Sequence, residues 1–115
     1  MTRPVVAFEI RGKDPAALQE FYRQIFGWKI EANEIGIAAI EPGVGGPEQG
    51  VGGFITLPNE PCVIIYVQVL DLNETLAKAE SLGGSRVQEP FDVPNGPTVA
   101  QMADPEGNII GLVKQ

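Results

Sequence analysis

The chain has 115 residues, of which 43% are hydrophobic and 20% are charged, and this length and composition suit one globular domain. A formal net charge of −7, with no stripe of basic residues, excludes the usual electrostatic features of a nucleic-acid-binding protein. The sequence contains no histidine, which removes the commonest general base, the commonest transition-metal ligand and every nucleophile that a histidine activates.

The N-terminal stretch MTRPVVAFEI lacks the long apolar core of a signal peptide, and no segment contains the roughly 20 apolar residues of a membrane span. The single cysteine, Cys62, cannot form an internal disulfide, which agrees with a reducing compartment. We therefore expect a cytoplasmic protein with no membrane partner. Cys62 stands between a proline and an apolar run, and we interpret it as a small packing residue.

The first half of the chain predicts a strand followed by a helix. The segment PVVAFEIRG is rich in β-branched and apolar residues, which is typical of a strand. Asp14-Pro15 provides an N-cap and a proline for the first turn of a helix, and Gly27 ends that helix. The buried stripe of the helix is expected to consist of Leu18, Phe21, Tyr22 and Ile25. Trp28, directly after Gly27, is interpreted as a packing residue.

Short strands are expected next, near residues 28–32 and 35–41, with a turn at Asn33-Glu34. A glycine-rich loop over residues 42–53 then leads to the strand FITLP. The loop contains neither G-x-x-x-x-G-K-[ST] nor G-x-G-x-x-G, and it leads into a strand rather than the N-terminus of a helix. It therefore predicts a mobile lid or a plain connection, and no phosphate site.

The second half repeats this order of elements. CVIIYVQVL predicts a strand, and DLNETLAKAESLGG predicts a helix that Asp71 or Asn73 caps and that Gly83-Gly84 ends. The buried stripe of this helix is expected to consist of Leu72, Leu76, Ala79 and Leu82. SRVQ, PTVAQMA and NIIGLV predict three further strands.

A constant offset of 57 positions separates Asp14 from Asp71 and Gly27 from Gly84. An internal repeat explains this spacing. The sequence therefore predicts an α+β fold in which two βαβββ modules, at about residues 4–58 and 61–115, form one cupped mixed sheet with the helices outside. The inner face of such a sheet is a cleft.

The segments FEIRGKDPAALQEFYRQIFGW, VQVLDLNETLAKAESLGG and DPEGNIIGL occur in this order. With them the chain resembles the glyoxalase, bleomycin-resistance and extradiol-dioxygenase superfamily, also called the vicinal oxygen chelate proteins. The resemblance covers nearly the entire chain. It implies paired βαβββ modules, usually in a homodimer, with a small-molecule pocket in each cupped sheet.

Metal-dependent members of that superfamily bind a divalent ion through four side chains, mostly His, Glu or Gln, on the first and last strands of each module. Carried over residue by residue, the resemblance places these positions at Ala7, at Gly53 or Phe54, at Ile64 and at Gly111. None of these side chains can donate an electron pair, whereas catalytic zinc needs about three protein ligands. We therefore expect no metal and no other cofactor.

Gly111 also raises a structural question, because glycine weakens the interior of a strand and usually marks the close approach of another group. One explanation is that Gly111 leaves space where relatives bind the metal. The other is a steric contact within the sheet.

Alternation along the two first strands selects residues that face the cleft. Those with the parity of Ala7 and Ile64 are polar, namely Glu9, Arg11, Tyr66 and Gln68. Those of opposite parity are apolar, as expected of a core under the helices, namely Phe8, Ile10, Ile65 and Val67. Further candidates for ligand binding lie on strands whose register the sequence leaves open or at the metal position, namely Thr56, Gln101 and Gly111.

Glu9 is a carboxylate in the middle of an apolar strand, where it can act as a general base, bind a cation, or form a structural ion pair with Arg11 or Arg3. Tyr66 is its counterpart in the repeat. It offers an aromatic wall and a hydroxyl to a ligand, or it belongs to the core with its hydroxyl at the rim.

Three functions follow from these residues. The first is a metal-free homodimer that binds a small molecule, cationic or aromatic, in the cleft. The second is a metal-independent isomerase or lyase-like enzyme in which Glu9 is the general base and Tyr66 donates a hydrogen bond to the oxyanion. The third is an interaction or regulatory domain whose cleft is filled by its own side chains.

Overall fold

A computed structural model describes residues 2–32, 36–41 and 51–114 of the chain. Eight strands and two helices lie within these residues, so the fold is α+β as the sequence predicts. Module one contains β1 (Val5–Arg11), α1 (Pro15–Phe26), β2 (Ile30–Ala32), β3 (Ala38–Ile40) and β4 (Gly52–Ile55). Module two contains β5 (Cys62–Val69), α2 (Leu72–Ser81), β6 (Ser85–Asp92), β7 (Thr98–Ala103) and β8 (Ile109–Lys114).

The two modules have the same strand order. Module one is ordered β2-β3-β4-β1, and module two is ordered β6-β7-β8-β5. In each, the first and last strands pair in parallel, whereas the other pairs are antiparallel. The internal repeat predicted from the 57-residue offset is therefore present in the topology. By its internal contacts the chain divides into two compact units, one spanning Val6–Ile64 and the other running from Ile65 onward together with the residues before Val6.

Helix α1 begins and ends where the sequence predicts. The Asp14 side chain accepts a hydrogen bond of 3.1 Å from the backbone N–H of Ala17, and Pro15 occupies the first turn. Gly27 closes the helix with a φ of 68°, and its backbone N–H donates to the carbonyl of Arg23. Few other residues adopt this left-handed conformation without strain, so Gly27 is required there.

The apolar stripe of α1 is only partly buried, and this corrects the prediction. Leu18 and Tyr22 pack against the core of module one, whereas Phe21 and Ile25 are more than half exposed. We attribute this to the small sheet beneath the helix, because β2 and β3 have only three residues each. Trp28 packs as predicted: its ring stacks on Tyr22 at a centroid distance of 5.1 Å.

Helix α2 is capped by Asp71, which decides between the two predicted caps. Its carboxylate accepts a hydrogen bond of 2.9 Å from the backbone N–H of Glu74. Leu72 and Leu76 are buried as predicted. Leu82 is 69% exposed, contrary to the prediction, because it lies beyond the last helical residue as the C-cap.

Strand β4 differs from the prediction at both ends. It begins at Gly52, within the predicted loop, and it ends at Ile55 rather than at Pro58. Gly53 is required in the strand, because a Cβ there would overlap the carbonyl oxygen and the ring of Phe8 on β1. The predicted turn at 33–34 and the glycine-rich loop over 42–50 lie outside the described residues.

The turn between β7 and β8 is organised by one carboxylate. Asp104 accepts hydrogen bonds of 2.9 Å from the Asn108 side chain and from the backbone N–H groups of Asn108 and Glu106. The bond from the Asn108 side chain is the largest cause that holds the pKa of Asp104 below its ordinary value. The ionised carboxylate is therefore favoured in the folded protein.

Asn108→Ala should reduce the acid sensitivity of the fold. Because the folded pKa of Asp104 is depressed, its stabilising effect is present above the unfolded pKa and is lost as the pH falls through the folded pKa. Urea unfolding at about pH 7 and about pH 3 should show a smaller loss of unfolding free energy in the variant than in the wild type. Asn59→Ala is a matched control, since the Asn59 side chain accepts from the backbone of Glu60. If the unfolding free energy of Asn108→Ala falls between about pH 7 and about pH 3 by as much as that of the wild type, this explanation is wrong.

Candidate functional site

Strand β1 separates an apolar face from a polar one, as its alternation predicts. Phe8 and Ile10 belong to the core that packs against α1. Glu9 and Arg11 therefore lie on the opposite face of the strand. The Glu9 side chain is only 3% exposed and that of Arg11 is 16% exposed.

Glu9, Arg11 and Thr56 form a connected group, here called the Glu9 triad. The Oε2 atom of Glu9 accepts a hydrogen bond of 2.7 Å from Arg11 Nε and one of 3.2 Å from Thr56 Oγ1. The first is charge-assisted and short. The structural alternative, an ion pair between Glu9 and Arg11, is therefore confirmed.

The parallel pairing of β1 with β4 explains why Thr56 joins this group. Glu9 is opposite Phe54 and Ile10 is opposite Ile55 in the register. Thr56 follows directly, and alternation returns it to the face of Glu9. The sequence names Thr56 as a candidate but leaves its register open, because β4 is separated from β1 by three elements.

Strand β5 has the same division. Val67 packs against the core of module two with Leu72 and Leu76, so Tyr66 and Gln68 lie on the other face. Gln68 is half-buried, and its backbone N–H donates to the carbonyl of Pro4. Ile65 is 44% exposed, which corrects its assignment to the helix-packed core. The hydrophobic cluster beneath α2 includes Val67 and Val69 but not Ile65.

Tyr66, Gly111 and Gln101 form a row across three neighbouring strands, here called the Tyr66 row. Gly111 on β8 is opposite Tyr66 on β5 and opposite Gln101 on β7. The Tyr66 side chain crosses Gly111, and its hydroxyl oxygen accepts a hydrogen bond of 3.0 Å from Gln101 Nε2. Tyr66 is 2% exposed and Gln101 is 3% exposed.

The Tyr66 row explains why a glycine stands at position 111 in the interior of a strand. A Cβ atom on Gly111 would overlap the ring of Tyr66, so no larger residue fits unless the ring moves. The steric explanation is therefore the one the structure supports. A glycine with an aromatic side chain laid over it is a recognised way to pack a strand at such a position.

The two registers also identify Phe54 as the repeat counterpart of Gly111. Glu9 is opposite Phe54 in module one, and Tyr66, its counterpart at an offset of 57, is opposite Gly111 in module two. Of the two alternatives that the sequence leaves open, Gly53 is thereby excluded. Gly53 pairs with Phe8 on the helix-packed face.

The residues at the four metal positions of the superfamily do not fit a metal ion. Ala7 and Ile64 are buried, Phe54 is half-buried, and Gly111 lies under the Tyr66 ring. None has a side-chain nitrogen, oxygen or sulfur atom, and burying an unpaired ion among such groups costs many kcal/mol. Elsewhere in the described ranges, no group of three or more Cys, Asp or Glu side chains is arranged to hold an ion.

Residues 7–113 match the family described as "Glyoxalase-like domain". The chain belongs to this family. A stretch of 50 residues is 38% identical to "Putative glyoxylase CFP32" from Mycobacterium bovis, and it covers 44% of this chain and 19% of that protein. The chain thus spans about a fifth of the length of this curated relative.

Solved structures of the superfamily share the fold at low identity. Methylmalonyl-CoA epimerase from Streptomyces coelicolor, in complex with 2-nitronate-propionyl-CoA, has a TM-score of 0.70 and 19% identity, covering 100% of this chain and 96% of the other. A glyoxalase/bleomycin resistance protein/dioxygenase superfamily member from Vibrio splendidus has a TM-score of 0.63 and 15% identity, covering 98% of each chain. In the described part of the glyoxalase-like chain, no helix is long and apolar enough to cross a membrane.

The Tyr66 row predicts a coupled pair of substitutions. Gly111→Ala should lower the free energy of unfolding by about 1–3 kcal/mol, because the new methyl group displaces the Tyr66 ring. In a Tyr66→Leu background the same substitution should cost less, since the overlapping ring atoms are gone. Urea unfolding of the four proteins of this double-mutant cycle measures the coupling. If the two substitutions lower the free energy of unfolding additively, the contact between Gly111 and the Tyr66 ring is contradicted.

Proposed function

We propose that this glyoxalase-like protein binds a small molecule without the help of a metal ion. The observation that carries the proposal is the chemistry of the four metal positions, which have no donor atoms in their side chains, while Tyr66 covers one of them. Fold alone does not assign a function. In module one, the polar face of β1 carries Arg11, which supplies hydrogen-bonding atoms of the kind that a small-molecule site requires.

The nature of the ligand is a further part of this proposal. A net charge of −7 favours a cationic ligand over an anionic one at long range. Tyr66 is only 2% exposed, so its ring gives an aromatic ligand little surface to contact. The Glu9 triad modifies this expectation at short range, since the charge of Glu9 is balanced by Arg11. Assembly as a homodimer and a cytoplasmic location stay predictions from the sequence and its resemblance.

A metal titration tests the first half of the proposal. The purified protein should contain less than about one tenth of a divalent ion per chain by elemental analysis. Its melting temperature should not rise on addition of Zn²⁺, Ni²⁺, Co²⁺ or Mn²⁺, because no donor set stabilises the folded state by binding. A stoichiometric ion in the wild type contradicts the proposal.

The similarity of fold to methylmalonyl-CoA epimerase supports a second candidate, a metal-independent isomerase with Glu9 as general base. The geometry weighs against it. Oε2 of Glu9 already accepts hydrogen bonds from Arg11 and Thr56, so this oxygen is engaged by two donors of the protein rather than directed at a substrate. A third candidate, a domain with a filled cleft, is supported only by the Tyr66 ring over Gly111.

Glu9→Gln separates binding from catalysis. Under the proposed function, neither the wild type nor the variant should exchange the α-proton of methylmalonyl-CoA with deuterium in metal-free buffer. If Glu9 were the base, the wild type would exchange and the variant would lose about 10² to 10⁴ of that rate. Arg86→Gln is a control, because Arg86 is paired with Glu80 and Glu89 outside the Glu9 triad. Exchange that depends on Glu9 overturns the proposed function.

A further inference from the structure

The guanidinium group of Arg11 is only partly used within the protein. Its Nε donates to Oε2 of Glu9 at 2.7 Å, and no other residue in the described ranges accepts a hydrogen bond from it. The side chain is nevertheless largely buried, with 16% of its surface exposed. No buried side-chain nitrogen or oxygen in the described ranges lacks a hydrogen-bond partner, so the Nη atoms of Arg11 reach solvent and can donate to an incoming acceptor.

The rest of the Glu9 triad fixes the orientation of this group. Glu9 and Arg11 are two residues apart on one strand, so they share a face, and Thr56 donates to the same carboxylate oxygen from the neighbouring strand segment. An arginine held through Nε keeps the edge formed by its two Nη atoms in a defined position. A planar edge of this kind matches the two oxygen atoms of a carboxylate.

We propose that the Glu9 triad recognises a carboxylate on the small molecule, with Arg11 donating to it through both Nη atoms. This inference rests on the proposed function and adds to it the chemical class of the ligand. Glu9 and Thr56 are positioning residues, since they act through Arg11.

An ammonium group fits the Glu9 triad less well. It would compete with Arg11 and Thr56 for the same Glu9 oxygen, and it would be repelled by the Arg11 charge. A phosphate monoester has the same type of oxygen atoms as a carboxylate. It brings more negative charge to an ion pair that is already neutral, next to a protein of net charge −7, so the carboxylate is favoured.

The test uses four probes that share one aromatic ring and differ in charge: benzoate, benzamide, benzylamine and phenyl phosphate. Each is titrated into the ¹⁵N-labelled protein of 115 residues at millimolar concentrations, and the side-chain Nε–H signal of Arg11 is followed by NMR. Benzoate should shift this signal in a saturable way and should bind more tightly than the other three. Comparison of benzoate with phenyl phosphate shows whether Arg11 prefers a carboxylate or a phosphate monoester.

Variants test whether benzoate binding depends on the planar edge formed by the two Nη atoms of Arg11. Arg11→Lys keeps the charge but loses the planar edge, and it should weaken benzoate binding at least about tenfold. The double variant Glu9→Gln with Arg11→Gln removes both charges together, so it avoids a buried unpaired carboxylate and should abolish the preference for benzoate. Arg86→Gln leaves the triad intact and should bind as the wild type does.

Some results would contradict carboxylate recognition by Arg11 alone, and others would also contradict small-molecule binding. Binding of benzylamine or benzamide in preference to benzoate, or benzoate binding that Arg11→Lys leaves unchanged, overturns the inference and leaves the proposed function standing. A preference for phenyl phosphate through Arg11 overturns the choice of carboxylate. If none of the four probes shifts any signal, both the inference and the proposed function lose their support.

Discussion

The parallel pairing between the first and last strand of each module is the constraint on which both polar groups depend. In module one it sets Glu9 opposite Phe54 and brings Thr56 to the same face. In module two it sets Tyr66 opposite Gly111. A shift of one strand by one residue would turn its side chains to the opposite face of the sheet, so that Thr56 would leave Glu9 or Gly111 would no longer lie under Tyr66.

The two modules place polar atoms at equivalent buried strand positions in different ways. Module one uses a charge pair, and such pairs contribute little net stability although breaking one costs about 3–5 kcal/mol. Module two uses a neutral contact between Tyr66 and Gln101. The charge pair leaves donors available on Arg11, which is why the proposed recognition of a carboxylate belongs to module one.

Short stretches of sequence were sufficient to predict the helices and strands and the faces of β1 and β5 on which Glu9 and Tyr66 lie. Asp14, Gly27 and Asp71 act where capping chemistry predicts, and alternation correctly assigned Glu9 and Tyr66 to the polar faces. Leu82 was misplaced for a local reason, because it is the C-cap of α2, but other features depend on partners distant in sequence. The exposure of Phe21 follows from the size of a sheet, and the contact of Tyr66 with Gln101 follows from a register that three strands set together. Neither is encoded in a short window of residues.

The partly uncovered stripe of α1 has a consequence for the protein in concentrated solution. Phe21, Ile25 and Phe26 each expose more than half of their surface, and aromatic rings in water attract one another. At neutral pH the net charge of −7 keeps molecules apart, but dissolved salt screens that repulsion over about 8 Å at physiological ionic strength. Colloidal behaviour should therefore be governed by ionic strength and acidity, because both weaken the repulsion while the rings stay uncovered.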